Sequence, residues 1–331
     1  MAELRFNPLT NDWVMIASHR QNRPQMPKDW CPFCPGPDND KVPANYEVLK
    51  YDNDFPALSQ NPPECDDVAE CVNGVYKTMP SYGKCEVVLY SPNHTTTLPE
   101  LSEGHIKKLV DLWTERFSEL SKDEKIKYVF IFENRGEAVG VTMPHPHGQI
   151  YGYPFIPKKI ELEINSAKAH LNEHKSCLFC DMLKSELEFK ERIIIENESF
   201  VTFLPFFTEY PYGVYIMAKN HKQNLTELTD SEKMQLAQIL KATVGTLDSL
   251  FDMKFPYMMC MYQNPVNTGD DTSKYSHFHI AFYPPMRSKD KIKFCASSET
   301  GAWAHCNPTA PESVAKELKQ AYEKYLNNNR G

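Results

Sequence analysis

The chain has 331 residues, 41% hydrophobic and 24% charged, with 36 basic against 44 acidic side chains and a net charge of −8. At about 150 residues per domain this length makes two domains, or one built from two copies of a smaller unit, and the composition excludes general disorder. The acidic balance excludes a protein that coats nucleic acid, and no apolar run approaches the ~20 residues that span a bilayer, so no membrane partner is expected.

The opening stretch, MAELRFNPLTNDW, lacks the basic and apolar regions of a signal peptide. A cytoplasmic chain with its ten cysteines reduced is therefore expected. Cys31 and Cys34 form a CxxC pair, which in a reducing compartment suggests a metal site before a redox site. Residues 35–80, rich in Pro, Asn and Asp, predict long loops. Apolar or alternating runs at 85–90, 127–133 and 147–153 predict strands. Between the first two, Ser102 caps a helix whose Ile106, Leu109, Val110, Trp113, Phe117 and Leu120 share one face. The stretch 158–176 predicts a linking helix, and Cys177 and Cys180 form a second CxxC pair. Further strands are expected at 200–204, 212–217, 257–262 and 277–283. A capping box, Thr229 and Glu232, starts a helix carrying Leu236, Leu240, Val244, Leu247 and Phe251, and 312–326 predicts a closing helix.

Those elements come in two matching sets. Cys-Pro-Phe-Cys at 31–34 returns as Cys-Leu-Phe-Cys at 177–180, an offset of 146. His94 returns as His221, an offset of 127, and His145 with His147 returns as His277 with His279, an offset of 132. Three landmarks in one order indicate an old duplication. Each copy reads as strands, a long helix, then strands, so the expected class is α+β on an antiparallel sheet. The boundary falls between residues 1–157 and 158–331.

Tetrahedral zinc takes four N/S ligands. Cys31, Cys34, His94 and His145 supply such a set, and its return as Cys177, Cys180, His221 and His277 argues against chance. His147 is the candidate nucleophile: at i and i+2 on a strand, His145 and His147 point to the same face. One imidazole can bind metal while the other faces a cleft and attacks phosphorus, with its second nitrogen tied to an acceptor. Gly148 is expected to let a phosphate approach the backbone closely. A lone His-x-His is more often structural, and its flanks decide otherwise.

The segment Asn134-Arg-Gly-Glu-Ala-Val-Gly-Val-Thr-Met-Pro-His145-Pro-His147-Gly-Gln149 resembles the active-site segment of galactose-1-phosphate uridylyltransferases, in the histidine-triad superfamily. HRQNRP at 19–24, NDFPAL at 53–58, SPNHTTTLPEL at 91–101, FPY at 255–257, FYPP at 282–285 and KF at 293–294 extend the resemblance over nearly the whole chain. The hydrolase branch carries a third histidine where this chain has Gln149, as the transferase branch does. The resemblance implies a duplicated histidine-triad-like fold merged into one extended sheet. It implies that His147 takes the uridylyl group from UDP-glucose, releasing glucose 1-phosphate, and passes it to galactose 1-phosphate to give UDP-galactose. Gln149 then holds the phosphoryl oxygens, Arg20 and Arg23 the phosphates, and Asn53 and Asp54 the nucleoside. Asn134 and the run Gly140, Val141, Thr142 add nucleotide contacts. Lys293, Phe294 and Glu299 reach the sugar phosphate from a partner subunit, implying a homodimer.

The chain also departs from the family pattern. Some bacterial members bind an iron-type metal through a glutamate and three histidines in the second half. Here Tyr262 and Ala281 stand where two of those histidines would be, so that site is expected to be absent. The second Cys/His set instead resembles that of plant-type nucleotide-sugar phosphorylases, which implies two zinc ions per chain. The stretch 297–305, SSETGAWAH, differs from the bacterial glycine-tyrosine-glutamate pattern. His279, with no Gly-Gln after it, is read as structural. The leading reading is a hexose-1-phosphate uridylyltransferase; an ADP-glucose-type phosphorylase is the alternative, and a catalytically silent, nucleotide-binding zinc scaffold a weaker one.

Overall fold

The structure is a computed structural model that describes residues 2–22, 30–36, 39, 41–65 and 74–329. The chain begins with β1 (Ala2–Asn7), β2 (Asp12–Ala17), β3 (Leu49–Asp52), β4 (Thr78–Pro80) and β5 (Lys84–Leu89). Then come α1 (Glu103–Ser121), β6 (Tyr128–Arg135), β7 (His147–Tyr153), α2 (Lys158–His174) and α3 (Leu178–Phe189). The second half adds β8 (Ile193–Glu196), β9 (Phe200–Phe203), β10 (Tyr215–Ala218), α4 (Asp230–Phe251), β11 (Tyr257–Tyr262) and β12 (His279–Tyr283). A small hairpin, β13 (Met286–Ser288) and β14 (Lys291–Ile292), precedes α5 (Ser297–Ala302) and α6 (Pro311–Asn328).

Nine strands form one sheet in the order β3-β5-β7-β6-β11-β12-β10-β9-β8, with every neighbour pair antiparallel. Read outward from the central β6–β11 pair, the two wings carry equivalent strands in mirrored order: β7 and β12, β5 and β10, β3 and β9. The duplication read in the sequence is thus a pseudo-twofold sheet with its seam where Cys260 faces Phe132. A separate three-stranded sheet, β2-β1-β4, accounts for the N-terminal hairpin.

The long helices begin where their caps demand. Ser102 Oγ accepts the backbone N–H of His105 to start α1, and Thr229 with Glu232 forms the capping box of α4. Both helices lie on one face of the sheet. Ile106, Leu109, Val110 and Trp113 of α1, with Leu236, Leu240 and Val244 of α4, bury against Ile131, Ile150, Met259, Met261 and Ile280. Each such side chain stabilises the fold by about 1.5–3 kcal/mol. Arg135 on β6 donates a bidentate pair to Asp248 on α4, at 2.8 and 2.9 Å, which ties the two halves together across the seam. Gly245 lets α6 close onto α4, because a Cβ there would stand 2.2 Å from the Tyr325 ring.

The opposite face differs between the wings. In the second half α2 and α3 cover it, burying Ile160 and Leu183 against Tyr262, Ala281, Val201, Phe203 and Met217. In the first half the corresponding face, with Tyr51, Val87 and Leu89, meets Phe33, Val42 and Met143 from loops. Elsewhere on this face α2 reaches Tyr128, Phe130 and Tyr153, and Leu4, Trp13 and Met15 of the small sheet pack on Cys85 and Tyr151, so among the described residues only loops lie over the end beside His147. That asymmetry leaves the first half open for chemistry.

Candidate active site and metal centres

The Cys31-Pro-Phe-Cys34 turn, closed by a Cys34 N–H to Cys31 carbonyl bond of 3.2 Å, presents both sulfurs to His94 and His145. Cys34 Sγ lies 3.3 Å from His94 Nδ1 and 3.5 Å from His145 Nδ1; Cys31 Sγ lies 3.8 Å from His145 Nδ1. With metal–ligand lengths of about 2.3 Å to sulfur and 2.0–2.1 Å to nitrogen, a tetrahedral site separates S and N by about 3.6 Å, so these spacings fit a tetrahedral ion. His145 is buried, which lowers its pKa to about 4 and keeps it neutral. Its Nε2–H donates to the Ser91 carbonyl at 2.8 Å, which aims Nδ1 at the sulfurs. Burial and the neighbouring Cys31 push the Cys34 thiol up to about 11, a cost that a bound cation would offset by favouring the thiolates.

The second set repeats the first nearly atom for atom. Cys180 Sγ lies 3.3 Å from His221 Nδ1 and 3.4 Å from His277 Nδ1. His277 Nε2 meets the Ala218 carbonyl at 2.8 Å, as His145 meets Ser91. In each set the four ligand atoms lie within 4.8 Å of one another, so both can hold a metal ion.

Two residues after the buried metal-type histidine, the copies diverge in use. His147 Nδ1–H donates to its neighbour's carbonyl, His145 O, at 2.7 Å, which places the lone pair on Nε2. His147 is half-buried on the open face, between two cavities. One, of ≈ 380 Å³, is lined by Asn53, Asp54, Phe33, Tyr51 and Gln149; the other, of ≈ 320 Å³, by Asn134, Val141, Thr95 and Lys254. His279 makes the same contact to His277 O at 3.0 Å. It is buried, however, face to face with Tyr262 (centroids 4.8 Å apart, planes 6° apart) and stacked on Tyr215 at 5.4 Å. Where Val87 faces Gln149 in the first half, Tyr215 faces Ala281 in the second. The tyrosine fills the space that an open site needs and leaves only a cavity of ≈ 30 Å³ beside His279.

Gln149 follows His147 on the same face of β7. Tyr151 OH, next on that face, donates to Gln149 Oε1 at 3.4 Å and accepts from Arg20 Nη1 at 3.2 Å, which brings Arg20 to the site. Arg23 lies outside the described residues. Asn53 Oδ1 accepts the Phe55 N–H at 2.9 Å, an Asx turn that fixes its amide, and Asp54 is held by Lys41 and the Tyr51 hydroxyl. Gly140, at φ +77°, ends the short 3-10 turn that leads into Val141 and Thr142. Lys293, Phe294 and Glu299 line neither cavity around His147. Lys293 Nζ donates to Glu299 at 3.2 Å, while Glu299 also accepts the Ala296 N–H, and the exposed Phe294 follows β14.

Gly148 differs from its expected role. It points to the helical face, not the cleft, and a Cβ there would stand 2.4 Å from Tyr90 OH and 3.1 Å from the Phe132 carbonyl. Close packing beneath the strand is by itself enough to require glycine here. Sequence reasoning also passed over Glu133, a carboxyl buried within β6. It accepts from Tyr257 OH at 3.0 Å, and burial raises its pKa to about 7. A carboxylate placed directly after the apolar run Tyr-Val-Phe-Ile-Phe, still within the strand, was its signal.

Comparison with known proteins fits this arrangement. The profiles of the N-terminal and C-terminal domains of galactose-1-phosphate uridyl transferase match residues 1–157 and 163–297. The chain is 42% identical to the galactose-1-phosphate uridylyltransferase of Thermotoga maritima over 97% of its own length and 98% of the relative's. A solved uridylyltransferase superposes with a TM-score of 0.89 at 33% identity, covering 97% of this chain and 99% of that one. An ADP-glucose phosphorylase from Arabidopsis thaliana, solved with bound ADP-glucose, superposes at 0.73 with 25% identity, covering 97% and 99%. Two profiles matching in order, and a relative aligned from end to end, assign the chain to the galactose-1-phosphate uridyl transferase family.

Proposed function

We propose that this chain is a hexose-1-phosphate uridylyltransferase working through a uridylyl-histidine at His147. The observation that carries the mechanism is the 2.7 Å bond from His147 Nδ1 to the His145 carbonyl, on a strand face open to the nucleoside-sized cavity. In the first step Nε2 attacks the α-phosphorus of UDP-glucose and the bond to the β-phosphate oxygen breaks, releasing glucose 1-phosphate. The positive charge that develops on the imidazole is stabilised by the carbonyl at Nδ1. In the second step a phosphate oxygen of galactose 1-phosphate displaces His147, giving UDP-galactose. Gln149 donates to the phosphoryl oxygens in both steps, and Arg20, placed through Tyr151, adds positive charge with Arg23.

Asn53 and Asp54 take the ribose, and Asn134 with Gly140, Val141 and Thr142 takes the phosphates. Zinc is the metal that two thiolates and two neutral imidazoles suit. Cys31, Cys34, His94 and His145 hold one ion and Cys177, Cys180, His221 and His277 a second. When bound, the first ion clamps the His145 segment and so fixes the carbonyl that orients His147; both are closed, structural sites. Lys293, Phe294 and Glu299 line neither cavity of their own chain, in keeping with a homodimer in which they meet the sugar phosphate bound by a second copy. The halves 1–157 and 158–331 are the duplicated units. Thiol ligands of this kind fit a cytoplasmic enzyme.

The test is intact and peptide mass spectrometry after mixing with UDP-glucose. One uridylyl group on His147, and none in a folded His147→Asn variant that still binds UDP-glucose, supports the mechanism; a label on another histidine, or no covalent species, refutes it. The duplicated Cys/His set and the likeness to the phosphorylase favour one alternative, discharge of the intermediate onto inorganic phosphate. Uridylylated enzyme separates the two: galactose 1-phosphate is expected to discharge it far more efficiently, and equal kcat/KM for phosphate gives the alternative.

A further inference from the structure

The cavity beside His147 that contains Asn53 and Asp54 has aromatic walls. Phe33 is fixed between Tyr51, with ring centroids 5.9 Å apart, and His147, at 5.0 Å. Phe55 adds a third apolar wall. Trp30 also lines this cavity, with 59% of its surface exposed. An indole is among the most costly side chains to leave in water, and no described ring packs against this one. Its position is nevertheless held, because the next residue is Cys31, part of the first Cys/His set, and the turn through Cys34 is hydrogen-bonded. The cavity therefore combines a slot of fixed and exposed aromatic rings, an amide and a carboxylate beside it, and a nucleophile at its end. A planar heterocycle on a hydroxylated sugar, with its phosphate at the nucleophile, matches that order of groups.

We propose that Trp30 stacks on the outward face of the nucleobase, closes this cavity and sets the enzyme's affinity for the base. The inference rests on the nucleotidyl-transfer reading and adds to it a residue that binds substrate without touching the reacting phosphorus. Trp30 acts before chemistry: it holds substrate and transition state alike, so its removal raises KM and leaves kcat at saturation unchanged.

The experiment measures UMP binding by calorimetry for the zinc-replete wild type, Trp30→Ala and Trp30→Phe, alongside steady-state kinetics with UDP-glucose and the native mass of each. Base–aromatic stacking predicts about 5- to 150-fold weaker UMP binding in Trp30→Ala. A matching rise in KM, an unchanged kcat and recovery to within about threefold in Trp30→Phe are expected for a ring that stacks. Tryptophan emission of the wild type is quenched by UMP, and Trp30→Phe binds UMP without that quench. UMP affinity unchanged in Trp30→Ala overturns the proposal, as does an altered subunit number that accounts for the loss. If the wild type binds AMP and not UMP, the same comparison made with AMP supports the stacking role while the uridylyl reading falls. If it binds neither, both fall.

Discussion

Substituting Gly148 by alanine tests the packing beneath the nucleophile. A Cβ at this position meets Tyr90 OH at 2.4 Å, Phe132 O at 3.1 Å and Tyr90 Cε1 at 3.2 Å. Tyr90 is held on its other sides: it is 1% exposed, Trp113 stands edge-on behind it at 5.9 Å, and its backbone N–H is bonded to Pro146 O at 3.0 Å, so any retreat of the ring intrudes on the cavity beside His147. Overpacking of this kind costs about 1–3 kcal/mol. Alanine returns about 0.4–1 kcal/mol by restricting the unfolded chain, and the φ of Gly148 is not in the left-handed region. A net loss of about 1–2 kcal/mol follows. At about 2.1 cal/mol/K per residue this lowers Tm by roughly 1.5–3 °C, so urea midpoints are the better assay. Because the strain pushes on the strand that carries His147, kcat/KM falls as well. Tyr90→Phe removes the closest atom, a buried hydroxyl beside the Glu133 carboxyl, and is itself expected to cost no more than about 1 kcal/mol. In that background most of the Gly148→Ala cost disappears, giving a coupling of about 1 kcal/mol. An equal cost in both backgrounds, or lost activity without lost stability, refutes the packing account and restores a phosphate-contact role for the glycine.

Elemental analysis is expected to give about two zinc per chain from the two four-ligand sets; Cys177→Ser loses one and lowers the urea midpoint while His147 still uridylylates, whereas Cys34→Ser loses both stability and labelling. A Cys177→Ser enzyme that cannot be labelled contradicts a purely structural second site. Glu133→Gln tests the buried carboxyl: its pKa is raised from 4.5 to about 7 in the fold, so between those values the native state holds a proton that the unfolded chain has lost. The wild type therefore loses stability as pH rises through that window, by up to about 3 kcal/mol, and the loss is complete above the folded value. The glutamine variant lacks this slope, and a constant stability difference from pH 4.5 to 8 contradicts the assignment.

Much of the architecture was readable because local rules and global fold agree. Ser102 and the Thr229–Glu232 box mark the starts of α1 and α4, and repeated Cys/His spacing marks two clusters whose members lie up to 114 residues apart. Other elements were missed for definite reasons. The helix α3 carries no start signal of its own, because its N-cap residue, Cys177, belongs to the ligand turn and makes no side-chain cap hydrogen bond. The hairpin β1–β2 lies where the alternation of Leu4 and Phe6 with polar residues is short, though Asn7-Pro-Leu-Thr signals its turn. The stack of tyrosines on His279 was illegible because it depends on register: Tyr215 and Tyr262 come from strands either side of β12, 47 residues apart. For the same reason the packing of Gly148 on Tyr90 was illegible, since nothing local places Tyr90 beneath it.

The β6–β11 seam has a consequence for synthesis on the ribosome. Strand β6 emerges with its outer edge waiting for Tyr257, 122 residues beyond Arg135, a delay of roughly 6–24 s at about 5–20 residues/s. During that interval the stretch Tyr-Val-Phe-Ile-Phe presents open N–H and C=O groups beside an apolar face, the kind of edge on which nascent chains associate. Arrested chains ending before Tyr257 are therefore expected to bind holdase chaperones and aggregate, and those extending past Tyr283 to be released from both. Equal chaperone occupancy in the two would mean that the first half closes its own edge.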